Sequence, residues 1–414
     1  MRIKLFFLLS SAFASTLLSA DELHNINQIV GDRSIGMAGA YGAVSDDPSG
    51  MVYNPAGIAF ANAASMSANV NTLQWSQITY KDALQETFDY QRSAYQVLPN
   101  FFGVVQPFGD VMVGFSSAIV DSNQEKQDQV FDNLQGIERF TVNFHNIDTI
   151  YNVGPTVARK FSQKLAIGFS LPLHYRSSEY ISNQSVVFEE SNSDNLRWTN
   201  VYKKISEQGV RPKLGVLVVP IEKLSIGLTV DKTLVLNARQ SRQASQCYTN
   251  DTDIGCSDQQ NPSIEKTTLK PNYPIQVRVA GAWFPNSALL VSADFIHNSA
   301  VSSTTAFPGK EATYDAAVGL EWYWSPRWAL RSGAYTSMAN TPELNDLATN
   351  QSAHVDRYGA TVSVARFSQG SSISLGVIGL YGQGKSQLFG SIPGLLQKTT
   401  SIDVNVFFTT SYRY

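Results

Sequence analysis

The sequence has little charge and no long apolar run beyond its first residues. Charged residues make up 16% of the 414-residue chain, against about 25% in typical soluble proteins. The net charge is −3, and no run of Lys or Arg indicates nucleic-acid binding. After residue 20 no stretch approaches the ~20 apolar residues of a spanning helix, so a membrane location would require strands.

Catalytic and metal-binding groupings are also missing from the sequence. The five histidines are scattered, and none lies beside both a Ser and a carboxylate. Asp251 and Asp253 lack the Gly and the terminal Glu of a calcium loop. We therefore expect no enzyme, no metal and no cofactor, although a barrel lipase with distant triad residues stays a minor alternative.

The chain has only two cysteines, Cys247 and Cys256, which lie nine residues apart in a polar segment. Exported proteins fold in an oxidising compartment, where such a pair forms a disulfide readily. We expect this disulfide; the alternative is a pair of free surface thiols.

The N-terminus has the pattern of an export signal. Arg2 and Lys4 precede an apolar run over 5–18, and the small residues Ser19 and Ala20 end it. This run is too short to span a membrane and matches a cleaved signal peptide. The expected organisation is therefore a signal peptide over 1–20 and a mature chain that begins at Asp21.

The C-terminus reads as a barrel strand. Ile402, Val404, Val406 and Phe408 share one face, Asp403, Asn405 and Thr409 fall on the other, and the chain ends on Tyr414. Such alternation occurs in soluble sandwiches as well, but a terminal aromatic residue in an exported chain favours an outer-membrane β-barrel. Tyr414 would also offer the barrel assembly machinery an aromatic ring.

The spacing of chain breaks predicts the strand count. Short turns rich in Pro, Gly, Asn and Ser are expected at 107–110, 161–164, 220–223, 284–287, 324–327 and 367–370. Longer polar segments alternate with them at 76–96, 121–140, 178–198, 243–264, 302–312, 337–353 and 383–398. The six short and seven long connections predict an all-β fold, a transmembrane antiparallel barrel of about 14 strands over 63–414.

The first mature residues, 21–62, differ in kind. They are rich in Gly and Ala, show no alternation and contain Asn54-Pro55-Ala56, where Asn54 can cap a helix that starts at Pro55. A compact segment ahead of the first strand can bury its apolar surface inside the lumen. We expect a hatch that plugs the barrel.

The stretch over 33–59, from Arg33-Ser-Ile-Gly-Met-Ala-Gly to Asn54-Pro-Ala-Gly-Ile-Ala59, resembles the N-terminal hatch of the FadL/TodX family. Segments at 274–286, 290–295 and 328–335 are similar to that family as well. The resemblance implies an outer-membrane, multi-pass transporter for long-chain fatty acids or hydrocarbons. It further implies gating by the hatch at Asn54, Pro55 and Ala56 and lateral release of the ligand through a kinked wall.

Candidate ligand contacts follow from the resemblance. The third long segment offers Val186, Val187, Phe188 and Trp198 as apolar contacts, but its carboxylates do not favour a fatty-acid head group. Arg278 and Arg331 could meet an anionic head group, or they could pair across the lumen to hold the hatch. The expected partners are the hydrophobic ligand and outer-membrane lipids around a monomer.

Two other functions stay open. A structural or surface-interaction barrel would have a polar plug and no cavity of ligand size. A general porin is less favoured, because it has no use for a packed plug.

Overall fold

The structure, a computed structural model, describes residues 23–61, 63–83, 88–134, 136–189, 196–249, 254–257, 264–304, 308–388 and 394–414. The signal peptide expected over 1–20 and its cleavage site lie outside the described residues.

Helices are few and short. Helix α1 covers Arg33–Gly36, helix α2 covers Gly50–Tyr53, and a 3-10 helix covers Pro55–Phe60. Within the described ranges, no helix has the length and apolar character needed to cross a membrane, a finding that does not bear on strands.

Strands form almost all of the rest. In chain order they are β1 Ser65–Tyr80, β2 Tyr90–Phe108, β3 Val111–Leu134, β4 Ile137–Ser162, β5 Leu165–Ser170, β6 Leu173–Phe188, β7 Leu196–Val210, β8 Lys213–Ile221, β9 Leu224–Lys232, β10 Leu234–Thr249, β11 Ile254–Ser257, β12 Glu265–Thr268, β13 Ile275–Asn286, β14 Leu289–Asn298, β15 Thr313–Ser325, β16 Trp328–Ser337, β17 His354–Ser368, β18 Ser371–Ser386 and β19 Gln397–Arg413.

The sheet closes on itself. Strand β1 pairs antiparallel with β2 on one side and with β19 on the other. Three wall strands are each interrupted once, so that β5 and β6, β7 and β8, and β9 and β10 each form one strand of the wall. The short strands β11 and β12 both pair with β10 and continue the wall beyond β13. The result is the closed antiparallel barrel of 14 strands that the spacing predicts.

All six predicted short turns are present, for example at 109–110 between β2 and β3 and at 369–370 between β17 and β18. Two predicted long segments, 302–312 and 337–353, match the connections between strands, whereas others were drawn too long. Segment 121–140 is mostly strand, since β3 runs to Leu134 and β4 starts at Ile137, and segment 178–198 is strand up to Phe188. Beyond the membrane the outward face of a hairpin need not be apolar, so the lipid-facing pattern does not mark where its strands end.

Large apolar side chains face outward around the wall. Phe115, Val157, Leu214, Val279 and Leu375 are each 44–59% exposed in the isolated chain. A continuous outward apolar band is the lipid-facing surface of an outer-membrane barrel. At the short turns Trp322, Trp324 and Trp328 form an aromatic row with ring centroids 6.1–6.2 Å apart, which fits the expected interfacial girdle.

Residues 23–61, here called the plug, lie inside the ring of strands. Their backbone carbonyls accept hydrogen bonds from wall side chains on opposite sides: Ser170 binds Met51 O (3.3 Å), Ser292 binds Ala40 O (2.6 Å) and Thr361 binds Gly36 O (2.9 Å). The main apolar core of the molecule is the contact between plug residues such as Ile35, Met37 and Ile58 and the inner wall.

Candidate functional site

Buried ion pairs hold one side of the plug. Arg331, on β16, contacts Glu321 of β15 (Nε to Oε1, 2.8 Å) and Asp32 of the plug (Nη1 to Oδ1, 3.3 Å). Arg33 contacts the other oxygen of Glu321 at 2.5 Å. Because an unpaired buried charge is costly, each group depends on its partners, and the network fixes the plug to the wall.

Asp32 also reaches the last strands. Its carboxylate accepts hydrogen bonds from Ser372 (3.2 Å) and Ser374 (3.1 Å) on β18 and from Thr409 on β19. Asp32 is 2% exposed, so these hydroxyls replace its lost hydration.

A second ion pair lies on β13 and β14. Arg278 contacts Asp294 (Nη1 to Oδ2, 2.6 Å) and Gly39 O (3.2 Å), while Asp294 accepts the backbone N–H groups of Tyr41 and Gly42. Arg278 and Arg331 therefore both contact the plug directly, Arg278 through Gly39 O and Arg331 through Asp32. Their predicted contact with a ligand head group stays a prediction, which Arg278 supports by also lining the cavity described below.

Asn54 caps the 3-10 helix as the sequence indicates. Its Oδ1 accepts the N–H of Ala56 (3.1 Å), and Pro55 occupies the first helical position. Its Nδ2 donates to Gly42 O (2.8 Å) within the plug and to Val216 O (3.1 Å) in β8. A single fully buried side chain thus joins two plug segments and the wall.

Three wall glycines make this contact possible, and the sequence patterns above do not predict their role. Gly168 and Gly215 are paired across β5 and β8, and Gly227 follows on β9. A Cβ at Gly168 would meet the backbone of Pro55, one at Gly215 would meet Asn54 Oδ1, and one at Gly227 would meet Gly42 O. The sequence feature that indicates these glycines is the occurrence of inward-facing Gly residues in neighbouring strands.

A small acidic group lies at the short-turn side of the plug. Asp46 pairs with Arg33 (2.7 Å), and the next residue, Asp47, accepts the N–H of Ser49 (2.8 Å). Burial, followed by the nearby charge of Asp46, raises the pKa of the Asp47 carboxyl to about 6.

Three cavities surround plug residues 23–30. The first has a volume of about 100 Å³ and combines apolar groups such as Met51, Tyr53 and Ile296 with polar ones such as Asn152 and Gln276. The second, about 130 Å³, extends along Gln74 and Arg92, and the third, about 100 Å³, contains His174 and Tyr273. Binding pockets for small molecules have volumes of about 300–1,000 Å³, so each cavity alone is smaller than such a pocket, but Asn27 lines all three.

The wall beside the first cavity is interrupted. Strands β5 and β6 are separated at residues 171–172, β7 and β8 at 211–212, and β9 and β10 at 233, and pairing places the three breaks side by side. Pro172 and Pro212 carry no N–H to donate. Pro172 and Arg211 line the first cavity, so this cavity reaches the interrupted part of the wall.

An apolar cluster closes the outer end of the lumen. It includes Tyr90, Phe140, Phe144, Val186 and Phe188. Arg92 lies over the Phe144 ring (4.7 Å) and contacts Glu125 through Nε (2.9 Å) beneath the cluster. The structure thus brings two of the predicted apolar contacts together, Val186 and Phe188.

The other two predicted contacts lie elsewhere. Val187 and Trp198 are half-buried, and register puts Trp198 opposite Ser185, on the strand face shared with Val187 and opposite to Val186. Ligand contact by these residues stays a prediction. Side chains that are neighbours in sequence point to opposite faces of β6. The apolar residue types alone do not show which face each one occupies.

The two cysteine positions are directly opposite one another across β10 and β11. This register supports the expected disulfide between Cys247 and Cys256, which stays a prediction.

Comparison with solved structures identifies the fold. A Pseudomonas aeruginosa FadL homologue is 14% identical, with a TM-score of 0.64 over 94% of this chain and 99% of that one. The P. putida toluene transporter TodX is 13% identical (TM-score 0.64, 93% and 98%), and the Ralstonia pickettii toluene transporter TbuX is 15% identical (TM-score 0.63, 94% and 99%). Neither a family model nor a curated protein matches the sequence. The predicted resemblance is therefore confirmed at the level of the fold.

Proposed function

We propose that this protein is an outer-membrane channel for the uptake of hydrophobic compounds such as hydrocarbons or long-chain fatty acids. The plug gates it, and the ligand leaves sideways through the wall. The observation that carries the proposal is the first cavity, which lies between the plug and the interrupted strands.

The route begins at the outer apolar cluster. A hydrophobic compound would enter among side chains such as Phe140, Phe144 and Phe188, since transfer from water to this cluster is favourable. Below the cluster the second cavity leads past Arg92 to plug residues 23–30, and the first cavity lies on the other side of these residues. Movement of the 23–30 segment would therefore connect the cavities.

The exit is the break in β5–β10. At this level backbone bonds run from Leu171 N to Pro155 O (3.0 Å), from Arg211 N to Pro172 O (2.9 Å) and from Lys232 N to Pro212 O (3.4 Å). Fewer ladder bonds make the wall easier to part here than where pairing is continuous. A hydrophobic ligand in the first cavity would pass directly to lipid without crossing water.

The structural-barrel alternative predicts no cavity of ligand size. The cavities are small one by one, but all three adjoin Asn27, so movement of 23–30 would join them into a larger space, and this arrangement favours uptake. Mixed lining of the first cavity favours a ligand with one polar end or an aromatic ring over a purely aliphatic chain. The cations Arg211 and Arg278 lie at this cavity, but Asp231 and Asp294 accept their hydrogen bonds.

Uptake of labelled toluene and of a labelled long-chain fatty acid into cells tests the proposal. We expect the intact protein to accelerate uptake of at least one of them, and Asn54→Ala to reduce this with the barrel still folded. Deletion of residues 21–60 should raise single-channel conductance in planar bilayers, because a barrel much wider than ~8 strands holds water when unplugged. Equal uptake with and without the protein, for both compounds, would favour the structural-barrel alternative.

A further inference from the structure

Three lysines form a row on the outer surface of the barrel. Lys385 on β18 and Lys398 on β19 are directly opposite in register, and Lys81, just after β1, donates its N–H to Lys398 O (2.9 Å). Both Lys385 and Lys398 are exposed. Adjacent strands lie about 4.8 Å apart, so the three side chains start within roughly 10 Å of one another.

These side chains face outward. Along β18 the exposed residues alternate from Ile373 through Leu375 and Val377 to Tyr381, and Lys385 continues the same face. On β19 Lys398 shares a face with Ile402 and Phe408 in the same way. The row therefore belongs to the lipid-facing side of the wall and not to the lumen.

The row lies just beyond the apolar band. Tyr358 and Tyr381 are opposite one another and 55% and 47% exposed, as expected for the outer aromatic belt. Four residues of a strand tilted by about 40° rise about 10 Å. Lysine side chains at this height reach the head-group layer of the outer leaflet.

Little negative charge of the chain balances the row. Lys81 pairs with Asp89 and has Asp82 beside it, but Lys385 and Lys398 have neither an ion pair nor a side-chain hydrogen bond among the described residues. Asp356 is nearby on β17, and its Oδ1 accepts the N–H of Ala339. The connection 387–396 between the two lysines contains no carboxylate. Like charges directly opposite in a sheet are destabilising, so the arrangement calls for an external anion.

We propose that Lys385 and Lys398, with Lys81 at the side, bind the phosphate groups of a phosphorylated glycolipid of the outer leaflet. The phosphates would lie between the ammonium groups, and the acyl chains would run down the apolar face of β18 and β19. Charge-assisted hydrogen bonds from lysine to phosphate supply the affinity, and the paired strands fix the spacing of the donors.

Native mass spectrometry of the full-length barrel in mild detergent, titrated with bisphosphorylated lipid A, tests this proposal. Replacing both residues, as Lys385→Gln with Lys398→Gln, should weaken binding about 30-fold, since each lysine at an anionic surface contributes a factor of about 5. The matched control carries Lys164→Gln and Lys223→Gln in the short turns at the opposite end, and it should bind like the wild type. Lys385→Arg with Lys398→Arg should retain binding.

Two further ligands separate the sources of affinity. Lipid A without phosphates should bind the wild type as weakly as bisphosphorylated lipid A binds the glutamine variant, and phosphatidylglycerol should bind weakly to all variants. Wild-type affinity in the glutamine variant, or equally tight binding of either further ligand to the wild type, would overturn the proposal. Heat-modifiable gel mobility checks that each variant folds. If the glutamine variant does not fold, the proposal is tested by comparing the affinity of the wild type for the three lipids.

Discussion

Asn54 Oδ1 lies against the bare Cα of Gly215, at a distance that leaves no room for a Cβ. This close contact between the Asn54 cap and the wall depends on both residues. It leads to a test of whether the plug is the seal of the barrel.

Gly215→Ala should displace the plug from the wall. The added methyl group would collide with Asn54, which makes the bonds to Gly42 and Val216, so the seal should loosen and ion conductance in planar bilayers should rise. Gly281→Ala is the matched control, because a Cβ there meets nothing within 4 Å. Equal conductance in both variants would show that the contact does not seal the lumen.

A disulfide across the interrupted wall should block exit. Leu173 and Val210 are directly opposite across β6 and β7, at the edge of the break. Leu173→Cys with Val210→Cys should therefore lower uptake of a hydrophobic compound when oxidised. The control, Leu375→Cys with Phe408→Cys, places the same bond between β18 and β19, where pairing is continuous. If both pairs reduce uptake equally, exit through the β5–β10 wall is not the route.

The stability of the plug should depend on pH through Asp47. Its folded pKa of about 6 exceeds the unfolded value of about 4, so the folded plug binds the proton more tightly. Protonation between pH 6 and 4 therefore stabilises the plug, and this gain is lost as the pH rises through 6. Hydrogen exchange over 44–60, corrected for intrinsic rates, should show greater protection at pH 4.5 than at pH 7. In Asp47→Asn this difference should shrink, and an undiminished difference would assign the effect to another group.

The cysteine pair should be closed in the exported protein. Thiol labelling of denatured, unreduced protein should find neither Cys247 nor Cys256 reactive, and reduction should expose both. The small ring would stabilise the outer hairpin by about 2–4 kcal/mol. Labelling of two thiols without reduction would reject the bond.

The terminal ring should matter for barrel yield. Tyr414 donates its N–H to Ala64 O (3.0 Å) and stacks on Tyr412 with centroids 6.2 Å apart. Tyr414→Phe should keep the yield of folded barrel, and Tyr414→Asp should lower it, because a charge at the lipid boundary carries a desolvation cost. Similar yields of heat-modifiable barrel for both variants would contradict this.

The sequence predicted the strands best within the membrane, where the outward face must be apolar to contact lipid. Alternation in strands such as β9, and Pro, Gly or Ser at the six turns, follow from the two-faced wall, and this gave the strand count. Past the membrane the outward face of a hairpin meets water instead of lipid. The ends of β3, β4 and β6 therefore lacked the outward apolar face that marks the strands within the membrane.

The site was less accessible to sequence reasoning. The residue types of Asn54 and Pro55 predict a helix cap. The wall partner of this cap, Gly215, lies 161 positions further on and has no side chain that could indicate the contact. Likewise, the sequence placed Arg278, Arg331, Asp294 and Glu321 in the lumen. Which of these groups pair, and the contact of Arg331 with Asp32, follow only from register and the path of the plug. Because β6 continues to Phe188, Val186 and Val187 point to opposite faces of the strand.

The hydrogen bond between Asp32 and Thr409 joins positions 377 apart, near the two ends of the chain. Thr409 belongs to β19, the strand that closes the ring by pairing with β1. The binding place of Asp32 is therefore incomplete until the last strand is in position. The segment made first can lock only after the segment made last, so in this protein ring closure and plugging are expected to occur as one late step. A barrel caught before that step would still be open.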